Sequence, residues 1–232
     1  MSIKKSRSAS PYRVRAVAFD LDGTLAETLP DLHTATNLAL SEIGIGEVSE
    51  ASVKRYIGKG IEHLVQGLIQ ELDLINNSID MAKLVSRFRS HYADNVCEGT
   101  YLFPHTLNVL KILNESGFGL ACLTNKSKEF TYPILSKLGV EGWFQYIICG
   151  DSLAARKPDP LPLLTLADRF GVKTDQVLMI GDSKTDVDCA RNAGSPVFCV
   201  PYGYRSGLSL ADLDCDVVLD SPLDIIDLIE RA

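Results

Sequence analysis

The sequence predicts an α/β fold: a parallel sheet covered by helices on both faces, with a block of helices inserted after its first strand. Three observations support it. Beyond residue 98, short apolar runs alternate with segments of helical period, the rhythm of βα units. Ahead of that, one apolar run, Val14–Phe19, stands alone, and no second strand appears until Phe118. A βα crossover needs only one helix, so the helical patterns between them form an inserted lobe rather than a connection. Finally, polar clusters follow four of the strands, and in a parallel sheet such clusters meet at one edge.

The chain is long enough, at 232 residues, for one large domain or for a core plus a smaller lobe. Its 46% hydrophobic and 23% charged residues are those of an ordinary globule. A formal charge of −7 argues against a general binder of nucleic acid or acidic membranes, so any anion must be held by local devices. Cysteines 97, 122, 149, 189, 199 and 215 form no C-x-x-C pair, which fits reduced thiols and a cytoplasmic location. No apolar run is long enough to span a membrane, and no signal peptide is visible.

Taken in order, residues 1–12 read as a flexible tail, polar and basic through Ser10. Val14–Phe19 is β-branched and apolar, a buried strand. Thr28 with Asp31 makes a capping-box-like pair opening a helix through Leu32, Ala35, Ala39 and Ile43 that ends at Gly44. Helical patterns over Ala51–Ile57, Ile61–Leu72 and Ile79–Asn95 complete the lobe, bounded at 26–98. The core then comprises 13–25 and 99–232. It predicts helices over Pro104–Ser116, Lys128–Leu138 (with Pro133 inside), Leu161–Phe170, Thr185–Ala193 and Leu223–Glu230. Between them fall strands at Phe118–Leu123, Tyr146–Cys149, Val177–Ile180, Pro196–Val200 and Val217–Leu219.

The clusters after the strands carry chemistry. The first strand ends in Asp20-Leu21-Asp22-Gly23-Thr24, and the pattern D-x-D-G-T matches a given position by chance on the order of 10⁻⁵. The second ends in Thr124-Asn125-Lys126, the third is followed, after a short loop, by Arg156-Lys157-Pro158-Asp159-Pro160, and the fourth by Gly181-Asp182-Ser183 with Asp186 beyond. Each has a structural alternative: Asp22-Gly23 as a turn, Thr124 and Asn125 as loop formers, Lys157 as a solvated lysine, and Ser183 to Asp186 as a capping box. Together they make a site. Asp20, Asp22 and Asp182 are hard oxygen ligands suited to Mg²⁺. Lys157, the hydroxyl of Thr124 and the backbone N–H groups of Leu21 and Asp22 can face phosphate oxygens, with Thr24 and Asn125 beside them. With no Walker A loop and no G-x-S-x-G, the nucleophile is a carboxylate able to form an acyl phosphate. The second aspartate is placed to serve as acid and then base.

The segments FDLDGTL…LPDL, LTNK, KPDP and GDSKTDV…AG resemble the haloacid dehalogenase superfamily of phosphohydrolases, and within it the phosphoglycolate phosphatase branch. The resemblance covers nearly the whole chain after the tail. It implies a Rossmann-like core with strand order 3-2-1-4-5 and an α-helical cap domain inserted after the first strand. It also implies Asp20 as nucleophile, Asp22 as general acid/base, and Thr124 and Lys157 as holders of the phosphoryl group. Mg²⁺ is then bound by the Asp20 carboxylate, the Asp22 carbonyl and Asp182, with Asp186 a ligand or directly behind one. Asp22 argues against a dehalogenase, whose branch lacks an acid there. Two departures stand out: Glu27-Thr28 where many relatives have Asp-Ser, and Pro104-His105 where many have Pro-Gly.

The expected activity is Mg²⁺-dependent hydrolysis of a small anionic phosphomonoester, 2-phosphoglycolate first, through an aspartyl phosphate. Pyrophosphate, a sugar phosphate or a nucleotide are alternative substrates, and a sugar-phosphate mutase or a non-enzymatic phosphoryl-ligand sensor are alternative roles. Arg55 and Lys59, around the Gly58-Lys59-Gly60 turn, are candidates to read a substrate carboxylate, against a solvated helix end. His33 is a further candidate. A monomer or homodimer is expected, with no nucleic-acid or membrane partner.

Overall fold

The computed structural model describes residues 10–74 and 79–232; the expected tail up to residue 9 lies outside the described residues. The chain runs through β1 (Tyr12–Val14), β2 (Ala16–Phe19), β3 (Ala26–Glu27), α1 (Leu29–Ser41), α2 (Glu50–Tyr56), α3 (Ile61–Glu71), α4 (Met81–Asp94) and β4 (Tyr101–Leu102). It continues through α5 (Thr106–Glu115), β5 (Gly119–Leu123), α6 (Lys128–Lys137), β6 (Tyr146–Ile148), α7 (Leu161–Phe170), β7 (Val177–Gly181), α8 (Lys184–Ala193), β8 (Val197–Cys199), β9 (Val217–Val218), α9 (Ile225–Leu228) and β10 (Ile229–Arg231).

Six strands form one parallel sheet in the order β6-β5-β2-β7-β8-β9. This is the expected 3-2-1-4-5 order with one more strand at the edge. Side chains alternate between faces with period two. Val17, Phe19, Leu120, Cys122, Leu178, Ile180 and Phe198 face one core, continuous with the interior of the inserted helices. Ala16, Ala18, Ala121, Leu123, Val177, Met179 and Val197 face the other, against Leu163 and Leu166 of α7 and Val187 and Ala190 of α8. Both faces are dry, so these strands read as unbroken apolar runs.

Four features differ from expectation. The run Val14–Phe19 is not one strand. It bends at the exposed Arg15, and the part before the bend joins a second sheet by pairing parallel with β10, Tyr12 opposite Ile229. Tyr12 therefore belongs to the fold rather than to a tail, its ring edge-on to Phe198 at 5.0 Å. The closing helix Leu223–Glu230 shrinks to a 3-10 turn at Pro222–Asp224 and α9, because Ile229 is buried and its backbone is claimed by β1. The short β3 and β4, absent from the sequence reading, pair antiparallel where the chain leaves the core for the inserted helices and where it returns.

The fourth difference concerns Thr28 and Asp31. Thr28 is the N-cap of α1, but its side chain makes no capping bond. The buried Asp31 carboxylate instead accepts from Gly99 N (2.6 Å), Thr100 N (3.1 Å) and Thr100 Oγ1 (2.6 Å), tying α1 to the returning chain. Among the inserted helices, α2 and α4 carry ordinary caps: Ser49 accepts from Ser52 N and Asp80 from Lys83 N. Their interior is built from Leu32, Ala35, Val53, Leu64, Leu68, Leu84, Phe88 and Tyr92.

Candidate active site

The strand β2 sits between β5 and β7, so the sheet reverses its order there and opens a crevice at the carboxyl edge. Asp20 follows β2, Thr124 follows β5 and Asp182 follows β7, so the fold brings these predicted residues together. A cavity of 440 Å³ stands over this edge, roofed by residues of the inserted helices. Its floor carries Asp20, Asp22, Thr124, Asn125 and Lys126; its roof carries Leu32, Ile57, Gly58, Gly60, Ile61, Leu64 and Arg89.

Lys157 is buried, and its ammonium bridges Asp20 Oδ1 at 2.9 Å and Asp186 Oδ1 at 2.6 Å while donating to the Leu123 carbonyl at 2.8 Å. Burial works against the ammonium, but Asp186 and Asp20 outweigh it and hold its pKa above the usual lysine value. Burial also raises the Asp20 carboxyl. Lys157 pulls it back, the charges of Asp186 and Asp182 add to the rise, and Asp20 stays well above the usual carboxylate range. Asp182 is pushed up to about 7, by burial first and by Asp186 second.

Burial and the neighbouring carboxylates both disfavour the ionised acids. Oxygens of Asp20, Asp182 and Asp186 lie within 4.8 Å of one another in a buried, all-oxygen set, a donor chemistry that suits a hard divalent cation. Within it Asp186 is heavily committed: Oδ1 to Lys157, and Oδ2 to Ser183 Oγ (2.6 Å), Ser183 N (3.1 Å) and Asp182 N (3.3 Å). The expected Ser183 to Asp186 capping box is present, so this acid closes α8 as well as facing the lysine. Glycine makes room for the trio. A Cβ on Gly203 would stand 2.1 Å from Asp182 Cβ, and one on Gly23, at φ +83°, 2.7 Å from Asp182 Oδ2.

Asp22 has its own partners. Its Oδ1 accepts from Thr28 Oγ1 at 2.6 Å and pairs with Lys126 Nζ at 3.0 Å. The Lys126 ammonium also lies 4.9 Å from the centre of the Tyr92 ring of α4. Tyr204 completes a belt around this acid. Its hydroxyl accepts from Thr28 N (2.8 Å) and Leu29 N (3.0 Å) and donates to Glu27, while its backbone N–H donates to Asp182. The departure Glu27-Thr28 is thus the half of the belt that meets Tyr204.

Other predicted residues fall elsewhere. Thr24 turns its hydroxyl to Asp182 (3.4 Å) and does not line the cavity. The Leu21 side chain is fully buried, leaving only its backbone to offer. Asn125 lines the cavity and stitches the roof to the core, donating to Gly58 O (2.9 Å) and Lys157 O (2.8 Å). Arg55 is corrected: it is exposed and paired with Glu71 at 2.9 Å, away from the cavity lining, because α2 turns it outward. Lys59 is exposed and outside the lining although Gly58 and Gly60 on either side belong to it. His33 is held inside the lobe against the Val48 carbonyl at 2.8 Å. Sequence reasoning passed over Lys126, whose signal was its place directly after Thr124 and Asn125. It gave no role to Arg156, which opens the cluster that contains Lys157, and it passed over Tyr204, which no pattern marked.

The switch-point crevice and its buried acids define a Rossmann-like α/β protein with a candidate divalent-cation site. Comparison with known proteins narrows this. The family model for haloacid dehalogenase-like hydrolases matches residues 17–200, and the chain belongs to that family. Relatives include proteins named phosphoglycolate phosphatase from Nitrosospira multiformis, 40% identical over 96% of this chain and 98% of that one, and from Thiobacillus denitrificans, 39% identical with the same coverage. A crystal structure of a predicted phosphoglycolate phosphatase from Haemophilus somnus superposes with a TM-score of 0.88 at 32% identity, covering 92% of this chain and 97% of that one.

Proposed function

We propose that the protein is a Mg²⁺-dependent phosphatase that hydrolyses 2-phosphoglycolate to glycolate and phosphate. The observation that carries this reading is the Lys157 ammonium fixed between Asp20 and Asp186, with Asp20 opening onto the cavity. The relatives' shared name supports the substrate.

Asp20 attacks phosphorus, forming an Asp20 Oδ–P bond as the bond from phosphorus to the glycolate oxygen breaks. Asp22 gives its proton to that oxygen as it departs. A water then attacks phosphorus and passes its proton to Asp22; the acyl phosphate bond breaks, and the Asp20 carboxylate and inorganic phosphate are restored. Thr124 and Lys157 hold the phosphoryl oxygens in line. Lys126 and Thr28 fix the Asp22 carboxylate against rotation. Asp20, the Asp22 carbonyl and Asp182 would hold the cation, with Asp186 a ligand or directly behind one, and a bound cation would neutralise charge on the transferring group. The inserted helices act as a lid that excludes bulk water.

The test is phosphate release from 2-phosphoglycolate with Mg²⁺ present. The Asp20→Asn variant loses at least about 10³-fold in kcat, since the amide that replaces the carboxylate is too weak a nucleophile to attack phosphorus. Wild-type rates in that variant overturn the mechanism.

A further inference from the structure

Three cations line the cavity: Lys126, Arg89 and Arg156. Two are already spent. Lys126 is paired with Asp22, and Arg89 is clasped by Glu62 at 3.2 Å and by Glu129 of α6. Beneath the floor Lys157 is shared by Asp20 and Asp186. Arg156 alone among the described cavity cations has no carboxylate within ion-pair distance. The acid that feels its charge, Glu62, is taken by Arg89. Asp151, also in the lining, accepts from the backbone N–H of Lys128 at 3.0 Å.

Arg156 is exposed, as Arg55 and Lys59 are, but unlike them it lines the cavity. It precedes Lys157 in the chain, so the loop that sends one cation under Asp20 presents the next to the cavity above. Its guanidinium lies against Gly60 of the roof, where a Cβ would come within 2.8 Å of Nη1. Gly60 itself stands at φ +92°, a backbone conformation that favours glycine. Asp20 and Thr124 claim the phosphoryl end of a ligand, and an unspent planar fork remains at the seam between core and roof.

We propose that Arg156 is the specificity-determining residue, receiving a carboxylate on the leaving group of the phosphomonoester through its guanidinium fork. The inference rests on the phosphatase reading above and assigns to Arg156 the role that the sequence alone offered to Arg55 or Lys59. A guanidinium suits this task because its paired N–H groups match the two carboxylate oxygens.

The experiment compares kcat/KM for 2-phosphoglycolate with that for 2-hydroxyethyl phosphate, which keeps the ester and replaces the carboxylate with a neutral hydroxymethyl group. Wild-type protein prefers 2-phosphoglycolate. In Arg156→Gln that ratio falls roughly ten- to a hundredfold, the scale of one charge-assisted hydrogen-bonded pair, with the loss concentrated in KM for 2-phosphoglycolate. Arg156→Lys, which keeps the charge without the fork, restores part of the ratio. Arg55→Gln leaves it unchanged. An equal loss on both esters in Arg156→Gln, or an unchanged ratio, overturns the proposal. So does a wild-type enzyme that hydrolyses 2-hydroxyethyl phosphate as well as 2-phosphoglycolate, although phosphatase activity then stands. If wild type releases phosphate from neither ester, both readings fall.

Discussion

His105 shows how one residue can carry the cost of a family departure. It sits at the N-cap of α5 with φ at +68°, the left-handed region where a side chain is strained and glycine is not. A glycine at this place has that conformation freely. His105→Gly therefore stabilises the protein by about 0.5–1 kcal/mol after the added flexibility of the unfolded chain is subtracted, raising Tm by about 1–4 °C in a thermal melt. Titration at the acid trio makes a second expectation. The Asp182 carboxyl is raised from 3.8 to about 7 by burial and Asp186. Between those values the folded state binds more protons than the unfolded state, so stability falls as pH rises through that window and levels off above it. In EDTA, Tm should increase as pH is lowered from about 8 to about 6; saturating Mg²⁺ should raise Tm at the upper pH and flatten the slope. A slope unaffected by Mg²⁺ would mean that no cation occupies these acids.

Among the elements, β3 and β4 join the inserted helices to the core through two residues each. Asp31 reinforces that joint with its three hydrogen bonds to Gly99 and Thr100. Asp31→Ala strands buried donors and costs about 3 kcal/mol, seen as a loss of about 6–12 °C in Tm. Legibility in the sequence divides at the same scale. The buried strands β2, β5 and β7 announced themselves because both their faces are dry, which makes their residues uniformly apolar. The helices α1, α3 and α4 did so through their one-sided apolar spacing. The break at Arg15, the strand β10 and the β3–β4 pair left no such mark. Each is two to four residues long and exists only because a partner distant in the chain pairs with it. The candidate site divides likewise. Asp20, Thr124 and Asp182 stand at strand ends, where topology makes residue type meaningful. Tyr204 and Gly203 lie in a loop after β8, and only the folded chain brings them to Glu27 and Asp182.

At the scale of the molecule, the core and the inserted helices share one apolar interior, which runs from Phe19 and Phe198 through Phe130 to Tyr92 and Phe88. Polar ties cross between them at several places, among them Asn125 to the Gly58 carbonyl, Arg89 to Glu129, Lys137 to the Val96 carbonyl and Tyr204 to the backbone of Thr28 and Leu29. The parallel pairing of β1 with β10 has a mechanical consequence. Chain attached before Tyr12 and chain attached after Arg231 leave the ribbon at opposite ends, since Tyr12 lies beside Ile229 and Val14 beside Arg231. Tension applied through the two flanks therefore loads the ribbon's hydrogen bonds in shear, all at once, rather than peeling them one by one. The ribbon acts as a clasp, and a pulling experiment through both flanks would meet its resistance before the sheet behind it begins to give.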